Sequence, residues 1–326
     1  MDAIINNSVI DHWSDTLKDI DCSDIKLPLS STSKLTDFVA WLENIGESTS
    51  LDFTWKTANS YDFKLRGKIG DVVLGAKTLG HALDFLTKFF PLIQDDSSLR
   101  LRTDKEWTCL SYKILDPNIW PRHHDALYSL GVYSTLIKLA DPKMWWHVEM
   151  SFEAPAHLYN DDLSKIVNAR CIFECDENAI YFPKRLLNHP LNLQPAADKV
   201  TIKQLNDALI EKHKNTPTYN HVRNYIIQNL HRGTVSQAEI ASYLGMTTRT
   251  LRRHLAKNGY KFQTLLDKCR MEIVILEIKS NKKTTLSEIA YKLGYSEHST
   301  FSRAFSKWTG MAPHAFRNSL STTFSA

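Results

Sequence analysis

Arginine side chains cluster in a short stretch of the last third of the chain, TTRTLRRHLAK at 247–257. Leu251 and Leu255 lie four residues apart, so on a helix they share one face and leave Arg249, Arg252 and Arg253 on the other. A guanidinium there can bind a guanine edge through two hydrogen bonds or pair with a phosphate. The stretch therefore predicts a helix that reads DNA, and the alternative is an ordinary solvated helix face.

A second stretch, EHSTFSRAFSKW at 297–308, has the same organisation with fewer cations. Phe301, Phe305 and Trp308 share one helical face, which predicts that they pack in the core and do not stack on bases. Glu297 is expected in the first turn, where it favours the helix dipole and repels nearby phosphate. The first helix should then supply more of the affinity. The outward positions predicted to contact DNA are His298, Ser299 and Arg303, with a plain surface role the alternative for His298.

Each stretch follows a similar run of residues, so the chain contains an internal repeat with a period near fifty. The earlier copy is AEIASYLGMTTRTLRRHL (238–255), and the later copy is LSEIAYKLGYSEHSTFSRAF (286–305). Both read as a capped helix, a glycine-containing turn and a second helix, which is the helix-turn-helix pattern whose second helix lies in the DNA major groove. One match would be weak evidence, but two in one basic region favour DNA binding strongly.

Local signals set the ends of these helices. Capping boxes are predicted at Ser236 with Glu239 and at Thr285 with Glu288. Gly245 and Gly294 are expected at positive φ in the turns, and Thr247 and Ser296 are expected to cap the second helices. A long helix at 262–280 would hold the two copies at a fixed separation. Two recognition helices so held can enter successive major grooves about 10 bp apart.

Charge is distributed unevenly between the two parts of the chain. The formal net charge of the 326 residues is +4, yet residues 201–326 hold 19 Lys and Arg against 8 Asp and Glu. Such asymmetry indicates a nucleic-acid or anionic-surface partner for the basic part, or merely two differently charged domains. No segment offers the roughly 20 apolar residues of a membrane span. The acidic N-terminal stretch does not read as a secretory signal, so a cytoplasmic protein is expected.

The first half mixes two periodicities, which predicts an α+β domain followed by an all-α domain. Helices are expected at 33–46, 78–93 and 125–140. Strands are expected at 107–115, 145–152 and 169–183, the last as a hairpin about Asp176–Asn178. The predicted domains are an α+β regulatory or dimerisation domain at 1–200, a linker at 201–218 containing a connecting helix, and a DNA-binding domain at 219–320.

Candidate chemistry in the first half is weaker. His123, His124 and Asp125 with His147 and Glu149 raise a metal hypothesis, but no ligand spacing on one element supports it, so no metal site and no cofactor are predicted. The odd number of cysteines, with no C-x-x-C pair, indicates reduced thiols, and Cys171 and Cys175 read as buried strand residues. No hydrolase, phosphate-loop or zinc-protease motif is present, so no enzyme activity is predicted.

The last hundred residues resemble the DNA-binding domain of the AraC/XylS family of bacterial transcription regulators. Ala312 departs from the hydroxyl residue that the family more often has before the proline. DFKLRGKIGDVVLGAKTLGHALDFLTKFF and AIYFPKRLLNHPL resemble the arabinose-binding/dimerisation type of N-terminal domain found in the family's ornithine-utilisation branch. The C-terminal likeness runs through Ala290, Gly294, Tyr295, Ser299, Phe301, Arg303, Phe305, Gly310, Pro313, Phe316 and Arg317.

The resemblance implies a sequence-specific regulator, an activator by expectation, that binds double-stranded DNA and contacts RNA polymerase. Its base-reading positions fall on Arg249, Arg252 and Arg253. The N-terminal domain is expected to sense a small-molecule effector or to form a homodimer. Two alternatives stay open: an N-terminal domain that contacts only another protein, and a bifunctional alkyl-transfer repair enzyme, for which none of the five cysteines has the required Pro-Cys-His-Arg context.

Overall fold

The chain folds into two compact units. The computed structural model describes residues 4–6, 13, 32–159, 163–191, 193, 197, 199–230, 235–280 and 284–323, without the side chains of 320–323. Unit 1 contains Met1–Ile114 and Pro121–His213, and unit 2 contains Leu115–Trp120 and Lys214–Ala326. Unit 2 therefore includes a short segment from the middle of the chain. The predicted linker at 201–218 lies on a helix, Lys199–Asn215, and on the start of the next.

Unit 1 is built on a five-stranded sheet with strand order β3-β4-β7-β5-β6. Neighbouring strands are antiparallel except β5 and β6, which run parallel. A separate pair, β1 (Ile4–Asn6) and β2 (Thr32–Lys34), is antiparallel. The strands of the sheet are β3 (Ser97–Thr103), β4 (Trp107–Ile114), β5 (Glu149–Ser151), β6 (Arg170–Ile172) and β7 (Asn178–Pro183).

The helices of unit 1 pack around one long buried helix, α5. It contacts β4 and β7 of the sheet as well as helices α1 and α2. Residues on every side of α5 are buried, as expected for a helix enclosed by other elements. The helices are α1 (Leu35–Ser48), α2 (Leu51–Asn59), α3 (Lys68–Leu74), α4 (Leu79–Phe89), α5 (His123–Ala140), α6 (Leu163–Val167) and α7 (Lys199–Asn215).

Two strand predictions in unit 1 were wrong. The segment predicted as a strand at 145–152 begins as a short 3-10 helix, Pro142–His147, and only Glu149–Ser151 is strand. The predicted hairpin at 169–183 does not form, because β5 lies between β6 and β7 in the sheet. Cys171 lies on β6, but Cys175 lies outside the strands, and both are partly rather than fully buried. Cys22 lies outside the described residues.

Unit 2 is helical in the part of the chain that the structure describes. Its core is formed by side chains from every helix around α11, including Ile226, Leu251, Val274, Ile289 and Phe301, and Leu115 packs in the same cluster. The predicted long helix at 262–280 is confirmed as α11. The helices are α8 (Thr218–Asn229), α9 (Gln237–Tyr243), α10 (Thr248–Lys257), α11 (Phe262–Ser280), α12 (Leu286–Lys292), α13 (His298–Thr309) and α14 (Pro313–Thr323).

A buried arginine ties three parts of unit 2 together. Arg223 on α8 donates to the carbonyl of Leu115 at 3.3 Å and to a carboxylate oxygen of Asp116 at 3.2 Å. It also donates to Glu272 on α11 at 3.2 Å. Both Arg223 and Glu272 are less than 10% exposed, so the pair is shielded from water. The segment 115–120 is thereby held against the helices of unit 2.

Among the described helices, none combines the length and the apolar character needed to cross a membrane.

Candidate functional site

The two sequence repeats fold as two helix-turn-helix motifs, α9–α10 and α12–α13. Gly245 and Gly294 have φ of 65° and 77°, as the sequence predicts, and this left-handed conformation favours glycine. The same hydrogen bond closes both turns. The N–H of the residue after the glycine donates to the carbonyl five residues earlier, from Met246 to Ala241 at 2.9 Å and from Tyr295 to Ala290 at 3.0 Å. The two sequence repeats therefore share the same backbone conformation in their turns.

Side-chain caps start the first helix of each motif. The Ser236 hydroxyl accepts the N–H of Glu239 at 3.1 Å. Thr285 and Glu288 form the complete capping box, with the Glu288 carboxylate accepting the Thr285 N–H at 2.7 Å. These backbone and hydroxyl donors lower the pKa of the Glu288 carboxyl. The capping box predicted at Ser236 forms only in half, because the Glu239 carboxylate accepts the Tyr225 hydroxyl of α8 at 2.8 Å.

The two motifs differ at the start of their second helices. Thr247 caps α10 as predicted, accepting the N–H of Thr250 at 3.1 Å. The prediction for Ser296 was wrong, because α13 begins one residue later and its N-cap position is Glu297, whose side chain makes no cap hydrogen bond. Glu297 thus precedes the first turn and does not lie in it. The second turn is one residue longer than the first.

The capping difference gives a testable contrast. We expect Thr285→Ala to lower the free energy of unfolding of unit 2 by about 1 kcal/mol, because it removes the side chain that satisfies the first turn of α12. Ser296→Ala should change it by less than about 0.5 kcal/mol, because Ser296 is exposed and caps no helix. Urea unfolding of both variants measures this. Equal losses would place a cap at Ser296 after all.

The outer face of α10 carries the three predicted arginines. Leu251 and Leu255 are 0% and 1% exposed, so α10 is anchored through its inner face. Arg249, Arg252 and Arg253 are all exposed. The Nε of Arg252 donates to the side-chain oxygen of Gln237, the first residue of α9, at 2.9 Å. A residue of the first helix of the motif therefore orients an arginine of the second. No spacing pattern in the sequence identifies Gln237 for this role.

The outer face of α13 carries the other three predicted residues. His298, Ser299 and Arg303 are exposed, whereas Phe301 and Phe305 are fully buried and Trp308 is partly buried against the same core. The core assignment of Phe301 and Phe305 is therefore confirmed. Contacts within the helix are few: the Ser299 hydroxyl lies 3.3 Å from Glu297, and His298 Nδ1 lies 3.4 Å from the hydroxyl of Ser302. The DNA role of the six residues stays a prediction.

Of the residues considered for metal binding, His123, His124 and Asp125 lie in a buried cluster with Glu43, whereas His147 and Glu149 are partly exposed and lie elsewhere, Glu149 accepting a hydrogen bond from Arg170. Glu43 on α1 accepts the backbone N–H groups of His124 and Asp125 at 2.8 and 3.1 Å. Its second oxygen lies 2.7 Å from His123 Nδ1. The Glu43 carboxylate thus binds the first N–H groups of α5. The sequence does not predict this role, because Glu43 lies about 80 residues earlier in the chain. Among the described residues no group of three or more His, Cys, Asp or Glu side chains is arranged to hold a metal ion.

Burial shifts the pKa values of two groups in this cluster, one upward and one downward. Burial raises the pKa of Asp125 to about 7, and the nearby Glu43 carboxylate adds to the rise. Burial and the neighbouring His123 lower the pKa of His124 to about 4. Both shifts favour the neutral form in the folded state.

We expect the contribution of Asp125 to the stability of unit 1 to fall as the pH rises from about 4 to 7. An unfolded aspartate, with a pKa of about 3.9, releases its proton over this range, whereas Asp125 in the folded protein keeps it. The stability that Asp125 contributes is therefore lost as the pH rises to its folded-state pKa. Asp125→Asn should remove this loss. Thermal unfolding of both proteins at pH 5 and pH 8, with the exposed Asp207→Asn as control, tests it. A pH-independent difference would refute the assignment.

Sequence profiles of two known families match the chain. The profile described as helix-turn-helix domain matches residues 240–319. The profile described as arabinose-binding domain of AraC transcription regulator, N-terminal, matches residues 23–191, which is more than half of the chain. The two matches fall on the same two regions that the sequence analysis separates.

Individual relatives agree with the profiles. The ornithine utilization regulator of Pseudomonas aeruginosa is 26% identical over 267 residues, covering 77% of this chain and 74% of its own. VirS of Mycobacterium tuberculosis is 24% identical, covering 87% of this chain and 84% of its own. An uncharacterized HTH-type regulator of M. tuberculosis is 30% identical over 145 residues, covering 43% of this chain, and the match spans 40% of that relative's length.

Among solved structures, that of CdpR from P. aeruginosa aligns over 95% of this chain and 98% of its own, with 18% identity and a TM-score of 0.41. The relatives described are transcription regulators. On the profile that matches more than half of its length, this chain belongs to the AraC family of transcription regulators.

Proposed function

We propose that the chain is a sequence-specific DNA-binding regulator that reads two adjacent major grooves with α10 and α13. The observation that carries this proposal is the pair of helix-turn-helix motifs whose second helices are anchored by buried apolar residues and expose cationic or polar ones. The proposed DNA contacts are Arg249, Arg252, Arg253, His298, Ser299 and Arg303. Since α10 carries three arginines and α13 only one of these, α10 supplies more of the affinity.

The Glu297 carboxylate at the start of α13 affects which residues of that helix can contact DNA. Glu297 is exposed at the N-terminal end of α13, where a carboxylate would repel an approaching phosphate. Arg303 lies about one and a half turns of helix from that end, so its guanidinium is less affected. We assign the readout by α13 to Arg303 and His298. Ser299 contributes less, because its hydroxyl donates to the Glu297 carboxylate at 3.3 Å.

We assign small-molecule sensing to unit 1, because its profile match is to an arabinose-binding domain and because one relative is named for ornithine utilization. The proposed mode is activation, with RNA polymerase as a partner, a homodimer as the assembly and the cytoplasm as the compartment. These finer assignments rest on membership of the family. A unit 1 that binds only protein is the outcome to be separated from sensing.

The proposal predicts a specific DNA-binding defect. Arg252→Ala/Arg303→Ala should abolish enrichment of one motif among genomic fragments retained by the full-length protein at physiological salt. Each arginine in bidentate contact with guanine contributes about 1–3 kcal/mol, or roughly 5- to 150-fold in affinity. Because both side chains are exposed, the melting temperature should stay unchanged. Sequencing of the retained fragments, with a melting curve for each protein, provides both measurements.

A control must remove the same charge without touching α10 or α13. Lys261→Ala/Lys279→Ala does so, since both lysines are exposed in unit 2, Lys261 just before α11 and Lys279 in its last turn. The control should weaken retention uniformly and keep the motif. If the two double variants lose enrichment equally, the effect is one of net charge and the proposed readout is wrong. If the arginine variant unfolds, its arginines are structural.

A further inference from the structure

Unit 1 encloses a cavity whose lining is unusually polar for a protein interior. It lies between α1, the 3-10 turn Phe63–Arg66, the end of α4 and one face of α5. The cavity volume is about 20 Å³, enough for about one water molecule. The polar lining consists of Arg66, Gln94, Asp125, Tyr128, Ser129 and Tyr133.

At the inner side of this cavity lies a buried carboxyl group. Asp125 is 2% exposed and accepts the Tyr112 hydroxyl at 2.9 Å, while Gln94 donates to the same hydroxyl oxygen at 2.8 Å. Among the described residues Asp125 has no ion pair within 4 Å, and the charge of Arg122 only partly offsets the effect of burial on the pKa of Asp125. A carboxylate in this position would be stabilised by a cationic group that enters the cavity.

The same cavity has a cation at its more exposed side. Arg66 is partly exposed and its guanidinium lies 5.3 Å from the centre of the Tyr61 ring. Arg66 and Asp125 both line the cavity, so a guanidinium and a carboxyl group border the same space. Arginine binds carboxylates through two parallel hydrogen bonds.

One further polar side chain of the cavity is deeply buried. Tyr128 lines the cavity, is 3% exposed and packs beside Trp13, with ring centres 5.2 Å apart. Its hydroxyl makes no hydrogen bond of normal geometry among the described residues. Buried polar groups usually have a partner, so this hydroxyl can serve a polar group that enters the cavity.

Taking the regulator proposal as its basis, we propose that this cavity is the effector site and that it takes a small zwitterion, with the ammonium on Asp125 and the carboxylate on Arg66. The Tyr128 hydroxyl supplies a further hydrogen bond. A molecule larger than water needs more room than the cavity now has. Arg66, on a short turn at the exposed side, is the lining residue that moves to admit it.

The test is thermal unfolding of the full-length protein with a panel of the twenty amino acids and ω-amino acids of three to six carbons. The matched amines and carboxylic acids, each lacking one charged group, complete the panel. We expect one or more zwitterions to raise the melting transition of unit 1 by about 5–10 °C at 100 times the dissociation constant. The matched single-charge compounds should shift it little at the same concentration.

Two variants place the ligand in the cavity. Asp125→Asn keeps the acceptor for Tyr112 but removes the charge, and Arg66→Met keeps the length of the stem. Each should weaken binding at least tenfold. Arg170→Met, an exposed arginine of unit 1 outside the cavity, should not. If the shift survives both cavity variants, or if amines or acids alone reproduce it, the assignment is overturned.

The outcomes also separate this inference from the function it rests on. Motif enrichment from genomic DNA together with no zwitterion response refutes the cavity assignment and leaves the regulator proposal intact. A response to sugars or other neutral compounds that ignores the cavity variants supports sensing but overturns the site and the ligand class. A response without any DNA motif refutes the regulator proposal instead.

Discussion

Phe301→Ala should lower the free energy of unfolding of unit 2 by about 3–5 kcal/mol. Phe301 is fully buried on α13, and its ring lies 5.7 Å from that of Tyr295, in the turn, and 6.0 Å from that of Phe305. It therefore joins the turn of the second motif to the inner face of its second helix. Truncation leaves a cavity at this junction, and the neighbouring rings cannot all close it.

The measurement is urea unfolding combined with hydrogen exchange of the amides of α12 and α13. Exchange should accelerate most in these two helices, and motif-specific DNA binding should be lost with them. Tyr291→Ala is the matched control, because it removes an aromatic ring that is 81% exposed on α12. A change within about 0.5 kcal/mol for Phe301→Ala, equal to the control, would contradict the packing described for α13.

Arg223→Ala should be about as destabilising as the loss of Phe301. Removing one partner of a buried ion pair costs about 3–5 kcal/mol, because the remaining charge is left without compensation. Here Glu272 on α11 would lose the guanidinium at 3.2 Å, and the carbonyl of Leu115 would lose its donor. The nearest other cation, Lys268, lies 3.9 Å from Glu272 and is largely exposed, so it compensates poorly.

The double variant Arg223→Met/Glu272→Met shows whether the loss comes from the stranded charge. Apolar side chains of similar length often replace a buried pair at little cost, so the double variant should be clearly more stable than Arg223→Ala. Arg303→Ala, an exposed arginine of the same unit, serves as control for a general loss of positive charge. Equal stability of Arg223→Ala and Arg303→Ala would show that the contacts of Arg223 contribute nothing.

Features governed by neighbours in sequence were predictable. The glycine turns, the capping box at Thr285, the cap at Thr247 and the extent of α11 each depend on residues within a few positions of one another, and each is confirmed. The predicted cap at Ser296 was wrong, because the repeat aligns equally well with the extra residue on either side of it. Only the backbone shows that the inserted residue lengthens the turn.

Features governed by distant pairing were not predictable. Alternating residues indicate that a segment is a strand but do not identify its neighbour, so β6 and β7 were read as a hairpin although β5 separates them. The Pro142–His147 turn replaced a predicted strand, and the cap at Asp141 followed by proline was its signal. Glu43 and Arg223 act across 80 and more residues of chain, a distance over which no local pattern carries information.

The inclusion of residues 115–120 in unit 2 has a consequence for truncated and chimaeric forms of this protein. A fragment that starts at Lys214 contains the helices described for unit 2, α8 to α14, but lacks Leu115, which fills part of their core, and two of the acceptors of Arg223. Its helices would be left with a gap and a stranded guanidinium. A chimaera that borrows the DNA-binding helices of a relative inherits the same problem unless the short internal segment is transplanted with them.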